Sequence, residues 1–141
     1  MILLDTNVVS ELMSDRANPA VVAWIDAQQR TDLFVSSIAV AEILYGLRAM
    51  PAGRRRDGLS LRFEQFIREV FADRELGFDE RAAKAYADIR GARKEMGRPM
   101  SNFDGQIAAI AQVHGLAIAT RNTRDFEGAG LDLVNPFETA A

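Results

Sequence analysis

The chain of 141 residues contains no cysteine, which excludes disulfides, thiolate metal sites and cysteine nucleophiles and leaves nothing to argue for an oxidising compartment. Its one histidine, His114, rules out acid–base chemistry that needs a pair of imidazoles. Long apolar runs are missing too. The longest, "IAAIAQVHGLAIA", is short for a membrane span and is interrupted by Gln112, His114 and Gly115. The N-terminus has no basic leader and meets Asp5 too soon for a signal peptide, so a cytoplasmic protein without a membrane span is expected. An overall excess of basic charge is also lacking, since 17 Lys and Arg face 20 Asp and Glu for a net charge of −3. The distribution is uneven, however. Arg48, Arg54, Arg55, Arg56, Arg62 and Arg68 form one basic stretch, and Arg90, Arg93, Lys94 and Arg98 a second. By themselves such clusters read as solvated helix faces.

A hydrophobic content of 48% supplies one sizeable core, and no repeat, low-complexity tract or linker divides the chain, so a single domain over residues 1–141 is expected. Met1 to Leu4 read as a buried strand. Asn7 is expected to cap a short helix through Met13, and Asn18-Pro19 opens a second helix. After a strand at "LFVSS", Ser37 is expected to cap a helix to about Ala49. A long helix should then run from about Arg55 to Ala72, with Leu59, Phe63, Phe66 and Val70 on its core side and Leu61, Ile67 and Phe71 left over as an exposed apolar patch. Further on come a strand at "ELGF", helices from Asp79 to Met96 and from Ser101 to His114, a strand at "LAIAT", a single turn at "NTRDF" and a last strand at "LDLVN". Strands alternating with helices imply a parallel sheet covered on both faces, with a site at the carboxyl ends of the strands. Asp5 stands at such an end.

Three acids lack partners. Asp5 closes an apolar strand. Glu42 is the only charged residue between Asp32 and Arg48 and lies more than a turn inside its helix, beside Ile38, Ala39, Tyr45 and Gly46. Asp104 has Met100, Ser101, Ile107 and Ala108 as its helical neighbours. Single acids are often caps, and Ser101-x-x-Asp104 and Asn122-x-x-Asp125 both fit a capping box. As a group they ask for a shared counter-ion, and a divalent cation with hard oxygen ligands, Mg²⁺ or Mn²⁺, meets that need.

The succession "LLDTN", "AEILYG", "NFDGQIAAIA" and "IATRNTRDF" resembles the VapC-type toxins of the PIN-domain family, including their FitB-like branch, over nearly the whole chain. The resemblance implies a PIN-like three-layer α/β/α sandwich with a short, mostly parallel central sheet. It implies a metal-dependent endoribonuclease, with catalytic Mg²⁺ (or Mn²⁺) bound by Asp5, Glu42 and Asp104 and with Thr6 beside it. At the fourth position many members have an acid where this chain has Asn122, and Asp125 one helical turn later is the candidate substitute. A homodimer and a small VapB-like antitoxin follow from the same resemblance, with Arg54, Arg55 and Arg56 suited to acidic groups on its tail or to RNA.

Other classes stay open on the residues alone. A phosphatase with a nucleophilic aspartate usually has a second acid two residues on, where this chain has Asn7. A catalytically inactive RNA-binding or protein-binding module would use the basic clusters but has no role for the three acids. His114, before Gly115, reads as a helix-end residue complementing the dipole. Tyr45 and Trp24 are candidates for stacking on bases, although aromatic residues at helical spacing usually belong to a core.

Overall fold

A strand of consecutive apolar residues is stable only where both faces of its sheet are covered. That is the position of β1 (Ile2–Leu4) in the computed structural model, which describes residues 1–138. Leu3 packs into one hydrophobic cluster and Leu4 into a second one, and both are fully buried. Alternating side chains along one strand thus feed two cores.

β1 pairs with β2 (Leu33–Ser36) on one side and β4 (Ala117–Ala119) on the other, while β3 (Glu75–Leu76) and β5 (Leu133–Val134) form the edges of a β3-β2-β1-β4-β5 sheet. Every pairing among the described residues is parallel. The helices α1 (Thr6–Met13), α2 (Pro19–Asp26), α3 (Ser37–Ala49) and α4 (Arg54–Phe66) cover the Leu4 side through Val8, Val9, Val21, Ala39, Ile43 and Phe63. On the Leu3 side lie α5 (Glu80–Glu95) and α6 (Asn102–His114), which contribute Ala82, Ile89, Ile107 and Ile110. This is the expected α/β/α sandwich. No helix among the described residues is long and apolar enough to cross a membrane.

The chain reverses direction across the sheet at β1, because β2 lies on one flank and β4 on the other. In open α/β sheets the crevice outside the strand ends at such a switch point is the usual place for a ligand.

Most helix ends follow the expected chemistry. Asn18 caps α2 by accepting from the Ala20 N–H with Pro19 at the first position, Asp79 caps α5, Ser101 caps α6, and Gly115 closes α6 at φ +66°. Two caps differ from expectation. Asp5, rather than Asn7, caps α1, and Ser36, rather than Ser37, caps α3 through a 3.1 Å bond from the Ala39 N–H. In both cases the strand turns into the helix with no intervening loop, so the last extended residue becomes the cap.

The long helix expected from Arg55 to Ala72 is also corrected. It ends as an α-helix at Phe66 and continues as a π-helical turn over Ile67–Phe71, after which Ala72 takes φ +41°. A π turn uses an extra residue, which changes the phase of everything after it. Phe71 therefore returns to the side that carries Phe63 and is fully buried, and Ile67 packs against the same core. Of the anticipated surface patch only Leu61 is exposed, at 55%. Accordingly, Phe71→Ala should lower unfolding free energy by about 3–5 kcal/mol, whereas Leu61→Ala should change it by less than about 0.5 kcal/mol. Urea unfolding of both variants checks this, and equal costs would mean that the π turn does not set the phase.

Candidate active site

The register that builds the core also builds the site. Leu4 stands beside Val35 in β2 and beside Ala119 in β4. The next residue on each strand path is therefore polar and at the same level: Ser36, Asp5 and Thr120, all buried. Asp5 extends the ladder, its N–H donating to the Ala119 carbonyl at 2.9 Å.

Asp5 is 6% exposed and is held by donors alone. Its Oδ1 accepts from the Thr6 N–H at 2.8 Å, and its Oδ2 accepts from Thr120 Oγ1 at 2.8 Å and Asn7 Nδ2 at 3.1 Å. Burial pushes its pKa above the ordinary carboxylate value, the bonds from Thr120 and Thr6 oppose this, and the charges of Glu42 and Asp125 add to the rise.

Glu42, the sixth residue of α3, is brought to the same place because α3 starts at the end of β2. Thr6 Oγ1 donates to Glu42 Oε1 at 2.8 Å, joining the first turn of α1 to α3. Asp104 is half-buried in the first turn of α6, where its N–H donates to Ser101 Oγ at 3.2 Å. Its pKa is also raised, mainly by burial, with Asp5 and Asp125 adding repulsion while Ser101 and the Arg93 charge work against it. None of the ion pairs among the described residues involves Asp5, Glu42 or Asp104.

The fourth position divides between two residues. Asn122 lines the cleft with the three acids, and its N–H donates to Thr120 Oγ1 at 3.1 Å. Asp125 sits in a 3₁₀ turn, Thr123–Phe126, with its side chain exposed, and its charge reaches both Asp5 and Asp104. The capping box expected here is not formed, because the Asn122 side chain makes no cap bond and Asp125 N–H instead donates to the Asn122 backbone carbonyl at 3.0 Å. Behind the turn lies Arg93, 4% exposed, whose Nη1 donates to the carbonyls of Asp125 at 2.8 Å and Glu127 at 3.0 Å and whose Nε donates to that of Arg98 at 2.7 Å. A residue of the second basic stretch is thus an internal brace.

Asp5, Thr6, Asn7, Ser10, Glu11, Glu42, Asp104, Arg121 and Asn122 enclose an open cleft of about 480 Å³. A second cleft, of about 550 Å³ between α1, α3 and α4, shares Thr6, Ser10 and Glu42 with it and adds Arg55, Leu59 and Phe63. His114 is exposed at the end of α6 as expected, Trp24 packs against the core, and Tyr45 is 75% exposed.

The sheet order, the strand-end acids and the helices that bring them together match a known pattern: residues 2–130 fit the model of the PIN domain. The chain belongs to the PIN-domain family. Among similar PIN proteins, a VapC ribonuclease of Sinorhizobium fredii is 49% identical over 99% of this chain and 100% of its own length. Toxin FitB of Neisseria gonorrhoeae is 43% identical over 97% of this chain and 99% of its own. The crystal structure of FitAcB from Neisseria gonorrhoeae superimposes with a TM-score of 0.93 at 42% identity, covering 99% of this PIN chain and 100% of that one.

Thr120 and Asn7 escape a reading of the sequence as site residues. The signal for Thr120 is present, a hydroxyl directly after an apolar strand, but its meaning depends on β4 lying beside β1. Asn7 bridges the two strand ends, Nδ2 donating to Asp5 and to Thr120 Oγ1 at 3.3 Å while Oδ1 accepts from the Arg121 N–H at 3.1 Å.

Both raised acids give the metal-free protein a pH dependence of known sign. A folded-state pKa above the unfolded value means that the native state holds the proton more tightly. Stability therefore falls as pH rises from the unfolded carboxylate value through the raised one. Asp104→Asn removes one such group, so its thermal midpoint minus that of the wild type should grow between pH 4 and pH 7 in EDTA. Thermal melts by circular dichroism test this, and a difference that shrinks with pH would contradict it.

Proposed function

We propose that the chain, as one nuclease domain, is a divalent-metal-dependent endoribonuclease and the toxin of a toxin–antitoxin pair. The observation that carries the reading is the meeting of Asp5, Glu42 and Asp104 in one cleft at the topological switch point, with no cation among the described residues paired to any of them. Strong similarity to a VapC ribonuclease and to toxin FitB supports it.

The donors suit Mg²⁺ or Mn²⁺. All are oxygens, and Asp5 keeps acceptor capacity beyond its three bonds, since two carboxylate oxygens offer about four lone-pair sites. Among the described residues no three acidic or histidine side chains stand close enough to enclose one ion. That arrangement fits Mg²⁺, which takes one or two carboxylates directly and keeps several waters. Asp5, Glu42 and Asp104 would hold the cation between them, one or two directly and the remainder through the waters it keeps, and Asp125 or Asn122 would complete the site at the fourth position. When bound, such a cation supplies an acidified water and neutralises charge on the phosphoryl oxygens.

The protein's own groups do the positioning. Thr120 and Asn7 fix the Asp5 carboxylate, so its oxygens do not reorganise as substrate enters. Thr6 ties Glu42 to the start of α1, coupling the two acids at a distance set by helix geometry. Raised pKa values of Asp5 and Asp104 remain compatible with the ionised forms once a cation replaces water and repulsion. Lacking a pair of imidazoles, the chain is suited to hydrolysis that leaves a 3′-hydroxyl and a 5′-phosphate.

Solved neighbours of this fold include a toxin–antitoxin complex, which supports an antitoxin partner here. The second cleft beside the acids, with Arg55 on its wall, suits the tail of such a partner. A homodimer belongs to the same reading, though the apolar patch expected on α4 lends it no support, since only Leu61 of that patch is exposed.

Incubation with RNA should give cleavage in Mg²⁺ or Mn²⁺ and none in EDTA, and Asp5→Asn should reduce the rate by about a hundredfold or more. Isothermal calorimetry should show weaker Mg²⁺ binding by Asp5→Asn, and unchanged affinity would refute the ligand assignment. An amide has one acceptor oxygen, so it cannot accept from Thr6 on one side and from Thr120 and Asn7 on the other as the Asp5 carboxylate does, and relief of repulsion and lost hydrogen bonds oppose each other in that variant's stability. At saturating Mg²⁺, Asp125→Asn should slow cleavage more than Asn122→Ala, and the reverse order would make Asn122 the fourth residue. Expression without the antitoxin should slow growth of a bacterial host, with Asp5→Asn harmless at equal expression.

A further inference from the structure

Every side chain around the acid cleft is neutral or acidic except one. Arg121, the residue after Thr120, is the single cation lining it among the described residues. Its main chain is pinned on both sides of the Cα. The N–H donates to Asn7 Oδ1 at 3.1 Å, and the carbonyl accepts from Asn135 Nδ2 at 3.2 Å. The guanidinium lies over Phe137, 3.9 Å from the ring centroid. Stacking of this kind holds a guanidinium by its face and leaves its N–H edge available.

The edge is unused. Among the described residues the Arg121 side chain donates no hydrogen bond, and its nearest carboxylate, Glu11, stands at 3.9 Å with its other oxygen already accepting from the Asn18 N–H at 2.9 Å. About half of the Arg121 side chain is exposed. An anchored, stacked guanidinium with free donors at the lip of an acidic cleft is unsuited to neutralising the buried Asp5, which it does not contact. It is well suited to a phosphate, whose oxygens accept two parallel N–H bonds from one fork.

We propose that Arg121 is a substrate-positioning residue that binds a backbone phosphate of the RNA strand beside the acids, and that Phe137 sets the direction of its guanidinium. This rests on the ribonuclease reading above. The contact is to the backbone, so it applies equally to all RNA sequences and registers the strand without selecting bases. It also explains how an acidic cleft admits a polyanion: the strand is met at the rim by a cation whose position is fixed before binding.

The test uses the full chain carrying Asp5→Asn, which prevents cleavage during measurement. Fluorescence anisotropy with a fluorescein-labelled single-stranded RNA of mixed sequence gives affinity as a function of salt. Adding Arg121→Ala should weaken binding roughly tenfold and reduce the slope of log affinity against log salt by about 0.7, the release of one counter-ion from a single strand. Phe137→Leu should weaken binding with the charge retained. Lys84→Ala, which removes the same charge from exposed α5, should leave the slope unchanged. An unaltered slope in Arg121→Ala, or an equal drop in Lys84→Ala, would overturn the proposal while leaving the ribonuclease reading in place. Failure of the Asp5→Asn chain to bind RNA, together with no cleavage by the wild type, would overturn both.

Discussion

The rest of the site depends on how a buried carboxylate is kept at the end of a core strand. Asp5 has no cation among the described residues to offset the loss of water, so hydrogen-bond donors must do it, and three of them come from Thr6, Asn7 and Thr120. Thr120 is available because β1 and β4 are neighbours in register. Asn7 is available because α1 begins at once after β1, which leaves its side chain over the gap between the two strands. A slip of one residue in that pairing would turn every side chain to the opposite face, remove the hydroxyl from Asp5 and bury an uncompensated charge. The arrangement of the candidate site and the fold are therefore specified by the same register.

Electrostatic tension is concentrated where chemistry is expected. Burial raises the pKa values of Asp5 and Asp104 and the charges of neighbouring acids add to the rise, an arrangement a folded protein keeps only where something else gains by it. The opposing elements are few and internal. Arg93 is buried and satisfied by three backbone carbonyls, so its charge acts on Asp104 through space while its hydrogen bonds hold the turn that carries Asp125. One side chain thus links the placement of one acid, Asp125, with the field felt by another, Asp104.

Much of this was legible in the sequence. Glu42 could be singled out because a charged residue deep in an apolar helix has no local reason to be there, and Asp5 because it interrupts an apolar strand without leaving it. The alternation of strands and helices indicated the layer order and the end of the sheet where a site should lie. What could not be read depends on tertiary neighbours. Thr120 and Arg121 gain their meaning only when β4 is set against β1, Asn7 resembles a cap until the network assigns it to two strands, and the basic stretch around Arg93 reads as solvated. The phase of Phe71 failed for a local reason: a period of 3.6 was carried through a segment that winds with an extra residue per turn.

The partnership of Asp5 with Thr120 spans 115 residues. Loop closure over such a length comes late, since the entropy of bringing distant segments together is lost before their contact is gained. During synthesis Asp5 leaves the ribosome 115 residues ahead of Thr120, the residue beyond β4 that stabilises it. A nascent chain that has already made β1, α1 and α3 holds two of the acids without the frame that fixes them. The candidate site is completed only once β4 has been made, and a chain that stops before Thr120 lacks the hydroxyl that fixes Asp5.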